Sequence, residues 1–76
     1  MPNVVLFTQP TCAPCKQVKR QLITRGIEFT ERDITQDPEA LKDLRNLNFN
    51  GTPVIQTDDD AWIGFNAAKM EALANA

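Results

Sequence analysis

The sequence predicts an α/β domain in which a mixed four-stranded sheet is flanked by three helices, in the order β-α-β-α-β-β-α. Three observations support this fold class. Short apolar runs alternate with segments of helical periodicity through the first fifty residues, which is typical of a β-α-β unit. Two further runs separated by an acidic turn indicate an antiparallel hairpin, and a helical segment closes the chain. At 76 residues, we expect residues 1–76 to form a single domain.

The first predicted strand precedes the two cysteines, and the first predicted helix follows from them. Residues 4–8 form an apolar, β-branched run that predicts a buried strand. After the cysteines, Cys15, Val18 and Leu22 recur at helical spacing. Gly26 provides the stop signal for this helix.

The second strand and second helix follow. Residues 27–34 place Ile27 and Phe29 on one side of the chain and polar residues on the other, which predicts a strand with one solvated face. Asp37 is the expected N-cap of the second helix, and Pro38 its first residue. We expect one apolar stripe along this helix, formed by Leu41, Leu44 and Leu47.

The last third of the chain predicts a hairpin and a helix. The third strand covers residues 54–57 and lies beside the first strand, and the fourth covers 61–65, with the acidic residues 58–60 at the tip. Asn66 is expected to cap the final helix, whose inward residues should be Ala67, Met70 and Ala74. This order is the layout of the thioredoxin fold, and a CxxC motif after the first strand of a β-α-β unit is its redox signature.

Composition excludes several classes of function. The net charge is −2 with acids and bases interspersed, which argues against a nucleic-acid binder. The first residues lack the pattern of a signal peptide, and no apolar run is long enough to span a membrane. Without histidine, neither a Cys-His nucleophilic pair nor a Cys₂His₂ zinc site can form. We therefore expect a cytoplasmic monomer that contacts neither nucleic acid nor membrane.

Three functions are possible for Cys12 and Cys15, the only cysteines in the chain. A structural disulfide over so short a loop would stabilise the fold by only about 2 kcal/mol, which disfavours that function. A metal site generally needs four ligands and the motif supplies two, which disfavours a metal- or iron–sulfur-binding adaptor. Because a dimer could share a metal, this function is kept as the alternative from another class. A redox pair suits the spacing, because residues three apart at a helix start lie on one face with Cα atoms about 5 to 6 Å apart.

The start of a helix also favours reactivity in Cys12. Free backbone N–H groups and the helix dipole stabilise a thiolate there, and CxxC cysteines have pKa values of about 7 or lower. We expect Cys12 to attack a partner disulfide and the deeper Cys15 to resolve the mixed disulfide. The supporting active-site residues should be Ala13, Pro14 and Lys16. Three further basic residues on the same helix add positive potential: Lys19, Arg20 and Arg25.

Two later segments are candidates for binding a partner. A cis Thr52–Pro53 bond would turn the backbone of Thr52 toward Cys12 and let it pair with an extended substrate chain, whereas a trans proline would simply begin the third strand. Gly64, at a strand end, would let another backbone approach closely. Trp62 either belongs to the same segment or packs beside the sheet.

The chain resembles the NrdH redoxins, which are glutaredoxin-like members of the thioredoxin superfamily and donate electrons to class Ib ribonucleotide reductase. The resemblance covers nearly the full length and lies in "FTQPTCAPC", "GTPVI" and "DDDAWIGFNAAKMEAL". It implies that Cys12 is the nucleophile and Cys15 the resolving cysteine of a protein-disulfide reductase. It implies a cis-proline loop at Thr52 and Pro53, and it extends the partner-binding residues to Trp62, Gly64 and Phe65.

The resemblance also implies the source of electrons. NrdH proteins are reduced by thioredoxin reductase, a flavoprotein that uses NADPH, and need no bound cofactor besides their redox-active disulfide. This chain has no tyrosine, so it lacks the Cys-Pro-Tyr-Cys site of true glutaredoxins. Gly64-Phe65-Asn66 replaces the paired glycines and aspartate that hold glutathione in those proteins. We therefore favour a protein reductase, with a glutathione-dependent glutaredoxin as the alternative.

Three positions depart from the NrdH pattern around the tryptophan: Ile63, Asn66 and Ala67 stand where NrdH proteins have Ser, Arg and Pro. The active site reads Cys-Ala-Pro-Cys, and its proline occupies the position found in thioredoxin.

Overall fold

The computed structural model describes residues 3–75 and contains the seven predicted elements in the predicted order. Each strand lies within its predicted range and is shorter than predicted, because hydrogen-bonded pairing covers only part of each predicted segment. The elements are β1 (Val5–Thr8), α1 (Ala13–Thr24), β2 (Thr30–Asp33), α2 (Pro38–Asn46), β3 (Val54–Gln56), β4 (Ala61–Ile63) and α3 (Ala67–Ala74).

The four strands form one mixed sheet in the order β2-β1-β3-β4. β1 and β2 run parallel, with Val5 opposite Thr30, so that the first three elements make the expected β-α-β unit. β3 is antiparallel to both of its neighbours. The central position of β1 brings its carboxyl end, where the cysteine loop begins, next to the start of β3.

Helices cover both faces of the sheet, as predicted. α1 and α3 share one apolar cluster with the sheet, whose buried members are Val4, Leu6, Val18, Leu22, Ile55, Trp62 and Met70. α2 covers the other face in a second cluster, whose buried members are Phe7, Ala40, Leu44 and Val54. Neighbouring residues of β1, such as Leu6 and Phe7, enter opposite clusters because side chains alternate along a strand.

The helix ends follow the predicted signals. The side chain of Asp37 accepts hydrogen bonds from two backbone N–H groups at the start of α2, and Pro38 is the first residue of that helix. Asn66 caps α3 by accepting from the N–H of Lys69 at 3.1 Å. Gly26 follows the C-cap of α1 with φ +69°, a backbone conformation that favours glycine.

Two predicted helix faces were wrong in part. In α3, Met70 is fully buried as expected, but Ala67 and Ala74 are exposed, and Leu73 packs against the core instead. Alanine gives a weak signal for burial, whereas the larger methionine and leucine gain more from it. In α2, Leu44 and Leu47 pack in the second cluster as expected, but Ala40 is buried there in place of Leu41, which is only partly buried.

None of the helices formed by residues 3–75 combines the length and the apolar character needed to cross a membrane.

Candidate redox site

The two cysteines lie where the loop after β1 enters α1. Cys12 is the N-cap of this helix, and Cys15 lies in its first turn. The two residues form a disulfide, with Cα atoms 5.2 Å apart, inside the range expected from the spacing. The N-cap position places the sulfur of Cys12 at the positive end of the helix dipole.

The two sulfurs differ in environment. Cys15 is buried, with 3% of its surface exposed, whereas Cys12 is only partly covered. The backbone N–H of Cys15 donates a hydrogen bond to Sγ of Cys12 at 3.1 Å. This N–H is one of those left without a partner inside the helix, and it would stabilise negative charge on Cys12 once the disulfide is reduced.

The predicted supporting residues line the opening of α1. Ala13 and Pro14 are exposed in the first turn, where a missing backbone N–H costs no helical hydrogen bond. Lys16 is exposed as well, and its backbone N–H donates to the carbonyl oxygen of Cys12 at 3.3 Å.

The positive potential expected along α1 is partly neutralised. Nζ of Lys19 lies 2.8 Å from a carboxylate oxygen of Glu31, and the Arg25 guanidinium lies 3.6 Å from that of Glu71. The ion pairs within residues 3–75 do not include Lys16 or Arg20, so Lys16 is the uncompensated cation closest in sequence to Cys15.

A cleft of about 220 Å³ opens beside the disulfide, and charged side chains from β2 form part of its wall. One carboxylate oxygen of Glu31 accepts a hydrogen bond from the buried hydroxyl of Thr8 at 3.1 Å. Asp33 accepts hydrogen bonds from the hydroxyl and the backbone N–H of Thr35, and these lower the pKa of its carboxyl below the ordinary value of 3.8. The other lining residues come from the cysteine loop and α1: Gln9, Pro10, Thr11, Cys12, Cys15, Lys16 and Lys19.

The start of β3 reaches the cysteines from the other side. The Thr52–Pro53 peptide bond is cis, the first of the two states considered from the sequence. The hydroxyl of Thr52 donates to Sγ of Cys12 at 3.6 Å, and the side-chain amide of Gln9 donates to the same hydroxyl oxygen at 3.0 Å. The carbonyl oxygen of Pro53 accepts from the N–H of Gly64 at 2.8 Å, which ties the end of β4 to this loop.

Sequence reasoning missed the part played by two side chains here. It assigned the backbone of Thr52 to the site, but the side chain is what contacts Cys12. It did not single out Gln9, although a polar amide between a buried strand and the CxxC motif is a usable signal. The contact could not be anticipated in detail, because residues 9 and 52 meet only through the tertiary fold.

The remaining predicted residues divide between surface and core. Gly64 adopts φ +81°, and Phe65 is 43% exposed, with the guanidinium of Arg25 5.9 Å from its ring centre. Trp62 is buried in the cluster shared by α1 and α3, and Nζ of Lys69 lies 4.8 Å from its ring centre. The structure thus gives Trp62 the packing position that was the alternative to a surface role.

Among residues 3–75, the structure contains no group of three or more histidine, cysteine, aspartate or glutamate side chains arranged to hold a metal ion.

Comparison with known proteins identifies the family. A model described as Glutaredoxin matches residues 4–62. The chain belongs to the glutaredoxin family. Since members of this family are thiol–disulfide oxidoreductases and Cys12 and Cys15 lie at disulfide distance, this glutaredoxin-family chain is a thiol–disulfide oxidoreductase with a redox-active cysteine pair.

Several known proteins are similar over most of the chain, and two of those named here are NrdH proteins. The glutaredoxin-like protein NrdH of Lactococcus lactis subsp. cremoris is 34% identical over 93% of this chain and 99% of its own length. The gene 56 protein of Mycobacterium phage L5 is 39% identical over 92% of this chain and 70% of its own length. The solved NrdH-redoxin of Escherichia coli has a TM-score of 0.85 and 30% identity, with 93% of each chain covered. These similarities confirm the resemblance to NrdH redoxins and the thioredoxin-like fold.

Proposed function

We propose that this glutaredoxin-family chain is a dithiol electron carrier in which Cys12 is the nucleophile and Cys15 the resolving cysteine. The observation that carries the proposal is the asymmetry of the pair: Cys12 is accessible at the helix N-terminus, and Cys15 is buried behind it. An accessible sulfur can reach the disulfide of another protein. A buried neighbour can then act only on the sulfur next to it.

The reaction balances as two thiol–disulfide exchanges. The thiolate of Cys12 attacks one sulfur of the partner disulfide, which forms a mixed disulfide and releases the other partner sulfur as a thiolate that takes up a proton. The thiolate of Cys15 then attacks Sγ of Cys12, forms the disulfide seen here and releases the second partner sulfur. Two electrons pass to the partner, and two electrons from a reductase restore the dithiol.

We infer that the reductase is thioredoxin reductase, which supplies NADPH electrons through its flavin, and that the target is ribonucleotide reductase of class Ib or another disulfide protein. The similarity to the Escherichia coli NrdH-redoxin, described as having a thioredoxin-like activity profile, supports this assignment. The local structure supports it as well. The side chain of Asn66 is engaged in capping α3, and Phe65 lies beside Arg25, in the segment where true glutaredoxins hold glutathione.

The proposed docking surface for the partner surrounds the disulfide. Thr52, beside Cys12, would offer its backbone to an extended partner chain. Exposed apolar side chains on the adjoining segment would contact the partner on either side of Gly64, since Ile63 is 52% and Phe65 is 43% exposed. We also propose a cytoplasmic monomer of one domain that binds neither nucleic acid nor membrane.

A coupled assay tests the source of electrons. The oxidised protein is mixed with NADPH and insulin, with thioredoxin reductase in one cuvette and with glutathione and glutathione reductase in another. We expect NADPH oxidation that depends on this protein in the first cuvette and little in the second, with Cys12→Ser as the inactive control. Turnover only with glutathione would overturn the choice of reductase, and turnover with neither would overturn the proposal of a protein-disulfide reductase.

A further inference from the structure

Three side chains form a chain of hydrogen bonds that ends at the partly exposed sulfur of Cys12. Gln9, in the loop after β1, donates from Nε2 to Oγ1 of Thr52 at 3.0 Å. The hydroxyl of Thr52 donates in turn to Sγ of Cys12 at 3.6 Å. Gln9 and Thr52 are 43 residues apart in the sequence, and their contact joins the cysteine loop directly to the loop before β3.

The hydrogen bond from Gln9 determines the direction in which the hydroxyl proton of Thr52 points. A threonine hydroxyl has a single proton and two lone pairs, and a glutamine amide nitrogen can only donate. Because Gln9 occupies a lone pair of the Thr52 oxygen, the hydroxyl proton is directed away from Gln9 and toward the sulfur. Without Gln9, the hydroxyl could rotate to other acceptors, including water, and would spend less time pointing at Cys12.

We propose that Gln9 is a positioning residue that holds the hydroxyl of Thr52 in the orientation that stabilises the thiolate of reduced Cys12. The inference rests on the proposed role of Cys12 as nucleophile and adds a residue that acts on it from a distance. A hydrogen bond donated to a thiolate favours the charged form, so that the amide of Gln9 increases the fraction of Cys12 that is reactive at neutral pH.

Other charged groups also face the cysteine pair, from α1 and from β2. They line the same cleft as Gln9 and comprise Lys16, Lys19, Glu31 and Asp33. Gln9 itself is neutral, so replacing it with the similarly long and neutral methionine removes the donor and leaves these charges in place. A change in the ionisation of Cys12 in this variant therefore reports the hydrogen bond.

The test is a double-mutant cycle on the pKa of Cys12 in the reduced protein. The rate of alkylation by iodoacetamide is followed against pH, and peptide mass analysis identifies Cys12 as the modified residue. Gln9→Met should raise the pKa of Cys12 by about one unit. At pH values below the Cys12 pKa of both the original protein and the variant, this change reduces the thiolate fraction by up to about tenfold. Thr52→Val should raise the pKa by at least as much. Adding Gln9→Met to Thr52→Val should then have no further effect.

Thr52→Ser serves as the matched control, because it keeps the hydroxyl. In the Thr52→Ser background, Gln9→Met should therefore raise the pKa of Cys12 as much as it does in the original protein. An unchanged pKa in Gln9→Met would overturn the proposal. So would a shift that persists undiminished in the Thr52→Val background, since Gln9 would then act by another route. Iodoacetamide reacts with Cys12 without a protein partner. An unchanged pKa in Gln9→Met is therefore a different result from a lack of turnover in the coupled assay.

Discussion

Replacing Gly64 with alanine should destabilise the protein through the backbone alone. Gly64 follows β4 and has φ +81°, which L side chains rarely adopt. A Cβ atom at this position would meet no atom beyond the adjoining residues within 4 Å, so that overlap with the rest of the fold contributes nothing. The native N–H of Gly64 is held by the carbonyl oxygen of Pro53 at 2.8 Å, which opposes rotation to a relaxed conformation.

Two contributions set the size of the effect. The left-handed conformation costs an alanine about 1–2 kcal/mol. Any glycine-to-alanine change also restricts the unfolded chain, which stabilises a compatible site by about 0.4–1 kcal/mol. Gly51→Ala isolates the second contribution, because Gly51 has no positive φ and its Cβ would lie 3.8 Å from Cδ1 of Ile63, an ordinary contact. The difference between the two variants should therefore be about 1–2 kcal/mol.

Thermal unfolding followed by circular dichroism measures this difference. In a domain of this size, about 1 kcal/mol shifts Tm by about 4–8 °C, so that Gly64→Ala should melt about 4–16 °C below Gly51→Ala. Gly26→Ala is a second comparison, since Gly26 has φ +69° and similarly open surroundings. Equal Tm values for Gly64→Ala and Gly51→Ala would refute the assignment of strain to Gly64.

Two further predictions concern ion pairs. Arg32→Met removes the ion pairs to Asp43 at 2.6 Å and to Asp37 at 3.4 Å, and it should lower the free energy of unfolding in urea by about 1 kcal/mol, with a smaller loss in high salt. An unchanged urea midpoint would show that these two pairs together contribute nothing. Lys69 donates to the carboxylate of Asp60 at 2.6 Å, and this bond, followed by the N–H of Ala61, lowers the pKa of Asp60 below 3.8. The stabilisation is therefore full above pH 3.8 and is lost as the pH falls through the lower pKa of the folded state. Lys69→Met should return the Asp60 pKa toward 3.8 in an NMR titration, and an unmoved titration would contradict this cause.

Local signals predicted the elements well because each helix carries its own start or stop. Asp37 with Pro38 fixes the beginning of α2, Asn66 fixes that of α3, and Gly26 follows the end of α1. The CxxC motif at the end of β1 likewise located the redox pair, since its spacing and position depend on only a few neighbouring residues.

Features set by tertiary packing were harder to predict. The face of α3 was misjudged because Ala67 and Ala74 carry little apolar surface, and the orientation of the helix against the sheet decides what is buried. The hydroxyl of Thr52 meets Cys12 across 40 residues, and no local pattern encodes the rotamer that brings them together. Trp62 lies in an apolar cluster whose members come from both ends of the chain.

Trapping the mixed disulfide tests the roles of Cys12 and Cys15 most directly. Reduced Cys15→Ser and Cys12→Ser are each mixed with an excess of a disulfide-bonded peptide, and the products are measured by intact mass and peptide mapping. We expect Cys15→Ser to accumulate an adduct on Cys12, because the buried partner that would release it is gone, and Cys12→Ser to accumulate almost none. An adduct that forms on Cys15 and not on Cys12 would reverse the two roles and contradict the assignment of Cys12 as the nucleophile.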